Sequence, residues 1–204
     1  MTDEHHPVRT GYDCIAERYA EASIAGRTEA TYYRSFLDRC IDRLPDDARV
    51  LDLGCGAGIV AADLSSRARI LGVDVSLAQL RLARDRVPTG LFVQADMTSV
   101  GIRDGSLDAV AAFWSIIHVH RELHAELYRR IHRWLRPGGV LFGTLGSDDN
   151  PDERQGDFFG APMYWSHFDA RTNRRLLEEA GFHVEQADIV EDMDESPLWV
   201  IATA

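Results

Sequence analysis

The sequence has no lysine, since all 22 of its basic residues are arginine. Walker-type phosphate loops place a lysine against the phosphates, and pyridoxal phosphate enzymes need a lysine for their Schiff base. Both classes of protein are therefore excluded. The sequence also has no apolar run near the roughly 20 residues that span a bilayer. Residues 1–10 are polar and lack the apolar core of a signal peptide, so we expect no membrane partner.

Positive charge is scarce, and so is cysteine. The formal net charge of −11 speaks against general affinity for nucleic acid or an anionic membrane surface. The three cysteines are an odd number, which favours a reduced, cytoplasmic setting. The 204 residues are enough for one sizeable core, and we predict a single domain over 1–204. Within it, we expect a helical cap at 1–45 and a substrate or lid loop at 146–168.

A glycine-rich stretch at 50–58 is the most informative part of the chain. The apolar run 49–53 predicts a buried strand, and 59–64 predicts a helix. The glycines between them allow a sharp turn and let a ligand lie against bare backbone. This pattern predicts the first strand-loop-helix unit of a doubly wound α/β fold, where ligands bind at the carboxyl ends of the strands.

The spacing of the glycines is G-x-G-x-G, with an acid two residues before the first glycine, whereas the dinucleotide fingerprint is G-x-G-x-x-G. It resembles the first motif of class I S-adenosylmethionine (SAM) dependent methyltransferases. A purely structural turn and an NAD(P)-dependent oxidoreductase are the alternatives. The resemblance implies SAM as the cofactor, and its contacts in this motif would be Asp52, Gly54, Cys55, Gly56 and Gly58.

The next two predicted strands also end in acids. Asp74 closes the strand 70–74, and a carboxylate can accept two hydrogen bonds from the paired hydroxyls of a ribose. Such an acid serves NAD as well as SAM, so Asp74 alone does not separate them. Ser76 and Gln79 predict a capping box at the start of the following helix. We also assign Val75 and Gln79 to the cofactor site.

After the strand 91–94, the resemblance implies that Asp96 binds the amino group of adenine and that Ala95 and Met97 line the ring. The fourth predicted strand, 107–113, ends at Phe113, which we also place at the cofactor. The chain continues into 114–119, where the family often has a serine and then a histidine. The Asn- or Asp-Pro-Pro-aromatic signature of nucleic-acid base methylases is absent, so we expect no nucleic acid substrate.

The N-terminal segment carries a further resemblance. A predicted helix over 8–21 places Tyr12 and Tyr19 on one face, in a pattern similar to the YD-x-x-A-x-x-Y entry segment of small-molecule methyltransferases. There the segment often closes over the cofactor, so we assign both tyrosines to the cofactor site. The alternative is an amphipathic helix that only packs on the domain. A second helix is predicted over 28–44 with a packing role.

The C-terminal half completes the resemblance, which covers nearly the whole chain. We predict a helix at 123–134, a strand at 140–144, a helix at 169–180, and strands at 183–190 and 198–203. Residues 136–139 form the Arg-Pro-Gly-Gly turn that the family has before its fifth strand. The resemblance implies a Rossmann-like fold: a doubly wound, seven-stranded, mostly parallel sheet with one antiparallel strand and helices on both faces.

We therefore predict transfer of the methyl group of SAM to oxygen or nitrogen, rather than carbon or sulfur, of a small-molecule acceptor. His118 is the first candidate for a general base, and Tyr164 and His167 follow. The alternatives are the NAD(P)-dependent oxidoreductase and a SAM-binding protein that acts on a protein partner or without catalysis. We expect no metal, and we interpret His118, His120 and His124 otherwise as histidines on a helix surface. A monomer or homodimer is expected.

Overall fold

The computed structural model describes residues 6–192 and 195–204. Part of the predicted N-terminal cap, residues 1–5, lies outside them. The helices are α1 His6–Glu29, α2 Thr31–Ile41, α3 Ile59–Leu64, α4 Leu77–Arg86, α5 His124–Trp134 and α6 Ala170–Glu179. The strands are β1 Ala48–Leu53, β2 Ala68–Asp74, β3 Leu91–Gln94, β4 Leu107–Ala112, β5 Leu135–Leu145, β6 Asn150–Phe158, β7 Ala161–His167, β8 His183–Ile189 and β9 Leu198–Thr203.

Seven of these strands form one sheet in the order β3-β2-β1-β4-β5-β9-β8. β1 pairs in parallel with both β2 and β4, while β9 is antiparallel to its two neighbours β5 and β8. The predicted seven-stranded, mostly parallel sheet with one antiparallel strand is thus confirmed. Chain order reverses between β1 and β4, which creates the crevice where ligands bind in such sheets.

Both faces of the sheet are covered by helices, because successive side chains of a strand point to opposite faces. Val50 of β1 packs into a cluster that contains Phe36 of α2, Leu64 of α3 and Leu80 of α4. On the other face, the next residue, Leu51, shares a cluster with α5 and α6. A strand buried on both sides is rich in apolar residues, and Val50, Leu51 and Leu53 make β1 recognisable in the sequence. Within the described residues, no helix is long and apolar enough to cross a membrane.

The first helix is longer than predicted. α1 continues for 24 residues to Glu29, and α2 begins at Thr31 after Ala30 adopts an extended conformation. The N-terminal half of α1 packs against β7. Gly11 permits the close approach, since a Cβ atom there would lie 2.6 Å from the carbonyl oxygen of Pro162.

The segment 146–168 is predicted as a substrate or lid loop, but most of it forms two strands. β6 and β7 pair as an antiparallel hairpin, with Phe159 and Gly160 at positive φ (53° and 90°) in its turn. β6 consists almost entirely of exposed polar residues. It therefore lacks the alternation of apolar and polar residues by which a half-buried strand is recognised. The hairpin packs on α1, with Met163 of β7 beside Val8 and Ile15 of α1 in one apolar cluster.

β5 also begins earlier than predicted, at Leu135 instead of residue 140. Leu135 pairs with Leu107, and the register then shifts before Val140 pairs with Ala109. The Arg-Pro-Gly-Gly turn is thus an irregularity within the strand. Gly138 has a φ of 76°, and its amide nitrogen donates to the carbonyl oxygen of Ala204, 2.8 Å away.

Candidate active site

A cavity, which we name the first cavity, lies at the carboxyl ends of β1, β2 and β4 and beneath α1. The structure brings together here every residue that the sequence assigns to the cofactor except Gly58. These lining residues are Tyr12, Tyr19, Asp52, Gly54, Cys55, Gly56, Asp74, Val75, Gln79, Ala95, Asp96, Met97 and Phe113.

The assignment of Gly58 to the cofactor is not supported by its position. Gly58 precedes α3 with a φ of 73°, and a Cβ atom there would lie 3.0 Å from both Cα and Cβ of Ala83. Gly58 therefore allows α3 and α4 to pack closely. The glycine pattern of the sequence combines two needs, a bare backbone at the ligand and a close helix contact.

Gly56 is the glycine that faces the first cavity. Its φ is 49°, and a Cβ atom there would point into open space, with Oε1 of Gln79 the nearest atom at 3.8 Å. At Gly54, by contrast, a Cβ atom would lie 2.3 Å from Cβ of Ser115. The loop therefore needs glycine at Gly54 for its own packing and at Gly56 for the volume of the cavity.

Asp74 connects this loop to the end of β2. Its Oδ2 accepts a hydrogen bond from the amide of Gly56 and its Oδ1 from the amide of Ser76, both at 2.8 Å. Burial raises the pKa of Asp74 to about 6, although these backbone donors favour the charged form. Because each carboxylate oxygen can accept more than one hydrogen bond, Asp74 retains acceptor capacity toward the cavity.

Only one of the two hydrogen bonds of the predicted capping box is confirmed. Oγ of Ser76 accepts from the amide of Gln79 at 3.2 Å, as in an N-cap. The amide of Ser76, however, donates to Asp74, and the side chain of Gln79 does not reach back. Both Nε2 and Oε1 of Gln79 are buried without a hydrogen-bond partner among the described residues. Buried amides of this kind are normally satisfied, so Gln79 has free capacity for a ligand in the first cavity.

Asp52 is the most buried acid of the site, with 1% of its surface exposed. Its Oδ2 has no hydrogen-bond partner within the described part of the chain. Burial raises the pKa of Asp52 to about 7; Arg27 opposes this shift and Asp74 adds to it. A cationic ligand group beside Asp52 would compensate for its burial.

Asp96 lies on the wall of the same cavity, after β3. Its Oδ1 accepts from both the amide and the hydroxyl group of Thr98 at 2.7 Å, which fixes the turn. The amide of the preceding Ala95 donates to the carbonyl oxygen of Asp74 at 3.0 Å. The ends of β2 and β3 are thus held together, with Ala95, Asp96 and Met97 along one side of the cavity.

His118, the first candidate base, lies in a short 3₁₀ helix over Ile116–His118 and is buried. Its Nδ1 lies 2.6 Å from the carbonyl oxygen of Tyr164, and its Nε2 lies 2.8 Å from the hydroxyl oxygen of Tyr12. Since a carbonyl only accepts, Nδ1 carries the proton, and Nε2 accepts the proton of the Tyr12 hydroxyl group. Burial lowers the pKa of His118 to about 4, so the ring is neutral at pH 7.

A second cavity, of about 330 Å³, adjoins the first. Tyr12, Tyr19, Trp114 and His118 line both cavities. His167 lines the second cavity, and its Nδ1 lies 3.0 Å from the carbonyl oxygen of Asp148. Two of the three catalytic candidates, His118 and His167, are therefore next to this space.

Tyr164, the remaining catalytic candidate, is placed elsewhere. Its hydroxyl oxygen lies 2.7 Å from Nδ1 of His120, and its ring packs beneath the guanidinium of Arg154. Its side chain lines neither of the two cavities. Successive side chains of β7 point to opposite faces, so Trp165 faces the second cavity and Tyr164 does not. Tyr164 contributes to the site only through its backbone carbonyl oxygen, which accepts a hydrogen bond from His118.

The interpretation of the three histidines as helix-surface residues is wrong for two of them. His118 and His124 are buried, and Nε2 of His124 lies 2.9 Å from the carbonyl oxygen of Val119. His120 is half-buried beside Tyr164. Across residues 6–192 and 195–204, no group of three or more histidine, cysteine, aspartate or glutamate side chains is placed to hold a metal ion.

Comparison with known proteins decides the family. A family model described as "Methyltransferase domain" matches residues 50–139. Malonyl-[acyl-carrier protein] O-methyltransferase of Enterobacter lignolyticus (strain SCF1) is 31% identical over 177 residues, which cover 80% of this chain and 66% of the relative. The chain belongs to the class I SAM-dependent methyltransferases. Its cofactor is SAM, and membership of this family sets aside the NAD(P)-dependent oxidoreductase.

A second curated relative agrees with this assignment. Trans-aconitate 2-methyltransferase of Variovorax paradoxus (strain S110) is 36% identical over 113 residues, covering 54% of this chain and 42% of the relative. The chain thus spans between about two fifths and two thirds of the length of these two curated relatives.

The fold resembles that of Burkholderia thailandensis 1,6-didemethyltoxoflavin-N1-methyltransferase, solved with 1,6-didemethyltoxoflavin and S-adenosylhomocysteine bound. Its TM-score is 0.73 at 19% identity, covering 99% of this chain and 88% of that one.

The polar groups of the first cavity fit SAM. SAM offers hydrogen-bond donors at its ribose hydroxyls, adenine amino group and ammonium group, and an acceptor at its carboxylate. The cavity offers Asp52 and Asp74 as acceptors, the side-chain amide of Gln79, which has no partner among the described residues, and the bare backbone of Gly56. The chain therefore has a site of suitable chemistry at the end of β1 and β2.

Several residues of the site were missed in the sequence. Arg27 lines the first cavity, with its guanidinium 4.7 Å from the ring centroid of Tyr33 and 5.3 Å from that of Trp114. Trp114 has a φ of 49°, and its Nε1 donates to Oε2 of Glu195 at 2.6 Å. The spacing of four between Tyr19, residue 23 and Arg27 would have revealed Arg27, had α1 been predicted to continue. No local pattern points to Glu195.

Proposed function

We propose that this chain transfers the methyl group of SAM to an oxygen or nitrogen atom of a small-molecule acceptor held in the second cavity. The observation that carries the proposal is that Tyr12, Tyr19, Trp114 and His118 form the wall common to both cavities. A molecule bound in the first cavity and a molecule bound in the second would therefore be neighbours where these four side chains lie. Direct transfer between two bound molecules requires such proximity.

For the cofactor, we assign roles to individual residues of the first cavity. Asp74 would accept hydrogen bonds from the ribose diol. Asp52, whose Oδ2 lacks a partner among the described residues, would face the ammonium group of the amino-acid part. Arg27 would pair with its carboxylate. Asp96 would accept from the adenine amino group, with Ala95 and Met97 against the ring.

When bound, SAM supplies a methyl group on a positively charged sulfur, which is the electrophile of the reaction. The chain's own residues orient the acceptor and exclude water from it. Orientation of this kind can contribute several kcal/mol to catalysis. The aromatic side chains of Tyr12, Tyr19 and Phe158, with ring centroids 5.1 to 6.5 Å apart, close the wall on the side of α1 and the hairpin.

A general base is needed only when the acceptor atom carries a proton at neutral pH. We assign this role to His118 acting through Tyr12. The hydroxyl oxygen of Tyr12 would take the proton of the acceptor while its own proton passes to Nε2 of His118, 2.8 Å away. Nε2 is prepared for this step because Nδ1 is held as the donor to the carbonyl of Tyr164. His167 is the second candidate.

The names of the similar proteins support oxygen and nitrogen as acceptor atoms. One relative is named an O-methyltransferase and one structural neighbour an N1-methyltransferase. Neither identifies the acceptor of this chain. Cytoplasmic location and a monomeric or homodimeric state stay predictions from the sequence.

The proposal is tested in two steps. Calorimetry should give binding of SAM and S-adenosylhomocysteine and none of NADH, and Gly56→Val should lose this binding while the circular dichroism spectrum stays unchanged. A panel of small-molecule amines, phenols and carboxylates is then incubated with SAM labelled in its methyl group. Label in a small-molecule product supports the proposal. Label only in added protein, or binding without transfer to any acceptor, would instead favour the alternative of a SAM-binding protein with another role.

A further inference from the structure

The second cavity has a distinctive lining. Aromatic rings come from α1, from the turn after β4 and from the hairpin, and two carboxylates come from Asp148 and Glu195. No arginine lines the second cavity within the described ranges 6–192 and 195–204, and the sequence has no lysine. The two carboxylates are therefore accompanied by no arginine or lysine among the described lining residues. The lining also includes the imidazoles of His118 and His167, and Nδ1 of His167 lies 4.0 Å from Oδ1 of Asp148.

The aromatic rings are packed so that several surround one space. Phe158 and Trp165 have ring centroids 5.2 Å apart, at an interplanar angle of 83°. Trp165 is also 5.6 Å from the ring of His118, and Phe158 is 5.8 Å from that of Tyr19. The face of an aromatic ring carries partial negative charge and attracts cations.

The carboxylates add to this field from two separate parts of the chain. Asp148 follows β5 and its side chain is 79% exposed, which places it at the rim. Glu195 precedes β9 and accepts the hydrogen bond from the indole of Trp114. Two arginines near the hairpin are engaged with other acids: Arg121 with Asp149 at 2.6 Å, and Arg154 with Asp152 at 3.1 Å.

Resting on the function proposed above, we infer that the acceptor is a cation with an apolar body of about the size of an aromatic ring, such as an arylalkylamine, whose amino group is protonated at neutral pH. The aromatic rings would hold its body, and Asp148 and Glu195 would attract its charge. The inference concerns the charge by which the acceptor is selected, whichever of its atoms receives the methyl group.

The same lining opposes an anionic acceptor. A carboxylate ligand would meet two carboxylates and the faces of aromatic rings. Burial lowers the pKa of His118, so this histidine offers no positive charge at neutral pH. Arg27 lies on the wall of the first cavity, where Asp52 is the nearby acid.

The test uses three probes of similar size: 2-phenylethylamine, 2-phenylethanol and phenylacetate. Their binding to the full chain is measured by calorimetry at pH 7, both with and without saturating S-adenosylhomocysteine. We expect the amine to bind about tenfold more tightly than the alcohol, a difference of about 1.4 kcal/mol, and the carboxylate to bind least. Equal or tighter binding of the alcohol or the carboxylate would overturn the inference.

The source of the preference is tested with paired variants. The double variant Asp148→Asn/Glu195→Gln should lose most of the preference for the amine. Asp188→Asn/Glu191→Gln removes the same charge from exposed positions outside the cavity and should keep the preference. If both pairs behave alike, the carboxylates of the cavity do not select the ligand and the inference fails.

Failure of the proposed function would appear differently. S-adenosylhomocysteine would then not bind, or methyl transfer would not occur with any acceptor. The order of the three probes, measured without S-adenosylhomocysteine, would still report the charge selectivity of the second cavity.

Discussion

The hydroxyl oxygen of Tyr12 lies 2.8 Å from Nε2 of His118, 106 residues further along the chain. The other nitrogen of the same ring bonds to the backbone of Tyr164 in β7. One buried histidine is thus tied both to α1 and to the hairpin, the two elements that cover the site. Its protonation state and its position depend on both of them.

We predict that His118→Ala lowers turnover by about 10²–10⁴-fold if the acceptor atom carries a proton that must leave. This is the usual range for loss of a general base. SAM affinity should change little. Tyr12→Phe keeps the ring that packs on Tyr19 but removes the hydroxyl group, and it should lower turnover by a similar factor. Steady-state kinetics at saturating SAM check both variants.

The expected pH dependence follows from the lowered pKa of His118. Because burial lowers the pKa of His118 to about 4 rather than the ordinary 6.5, His118 should produce no acid limb in the pH–rate profile between pH 5.5 and 7.5. If Tyr12→Phe retains full turnover, Tyr12 does not relay the proton, and His167→Ala is the next variant to measure.

We predict that Asp74→Ala weakens SAM binding by about 1.5–3 kcal/mol, the scale of hydrogen bonds to a charged group. The loss has two sources: the ribose contact, and the bond from Asp74 to the amide of Gly56 that shapes the loop. Calorimetry measures the affinity. Asp85→Ala, an exposed acid on α4, is the control and should bind SAM as the unchanged protein does. Unaltered affinity of Asp74→Ala would remove Asp74 from the cofactor site.

Substitutions at two glycines of the loop should fail in different ways. Gly56→Val should abolish SAM binding and leave the chain folded, since its side chain enters open space; its positive φ adds a strain of the order of 1 kcal/mol. Gly54→Ala should destabilise the fold itself, because its Cβ atom would overlap Ser115. Thermal unfolding and SAM titration of both variants distinguish the two effects. Normal SAM binding by Gly56→Val would place the ligand elsewhere.

The buried acid Asp52 should make stability depend on pH. Its pKa is about 3.9 in an unfolded chain and about 7 in the folded, ligand-free one. A pKa that is raised by folding stabilises the fold below the unfolded value, and this contribution is lost as pH rises to the folded value. The free energy of unfolding should therefore fall between about pH 4 and pH 7, by at most about 1.4 kcal/mol per pH unit from this group.

Asp52→Asn, which has the same shape without the titration, should flatten this part of the profile. Denaturant titrations at several pH values measure it. Asp74, whose pKa is also raised, to about 6, acts in the same direction and remains in the variant. A profile with an unchanged slope in Asp52→Asn would contradict the prediction.

The sequence predicted those residues of the site that belong to a local sequence pattern. Asp52 lies near the end of β1, Gly56 follows β1 and Asp74 ends β2. The doubly wound topology alone brings the ends of such strands together. Gly58 belongs to the same pattern but serves helix packing. That distinction depends on Ala83, which is 25 residues away, and no local pattern contains it.

What the sequence did not predict depends on contacts between distant segments. β6 forms a strand through pairing with β7, although its own side chains are exposed and polar. Tyr164 and Trp165 are adjacent aromatic residues, and only the register of the hairpin decides which of them faces the second cavity. Arg27 reaches the site because α1 is long enough to carry it there, and Glu195 reaches it because it lies in the segment that precedes β9.

The position of the hairpin bears on how this protein can change in evolution. Its residues Phe158, Trp165 and His167 line the second cavity and, within the described chain, none of its residues lines the first. The loop of Gly54 and Gly56 serves the first cavity alone. With the acceptor held in the second cavity, as proposed above, mutation in the hairpin would alter what is methylated while the methyl donor and its contacts are retained. A lineage could then acquire new acceptors without passing through a form that has lost its cofactor.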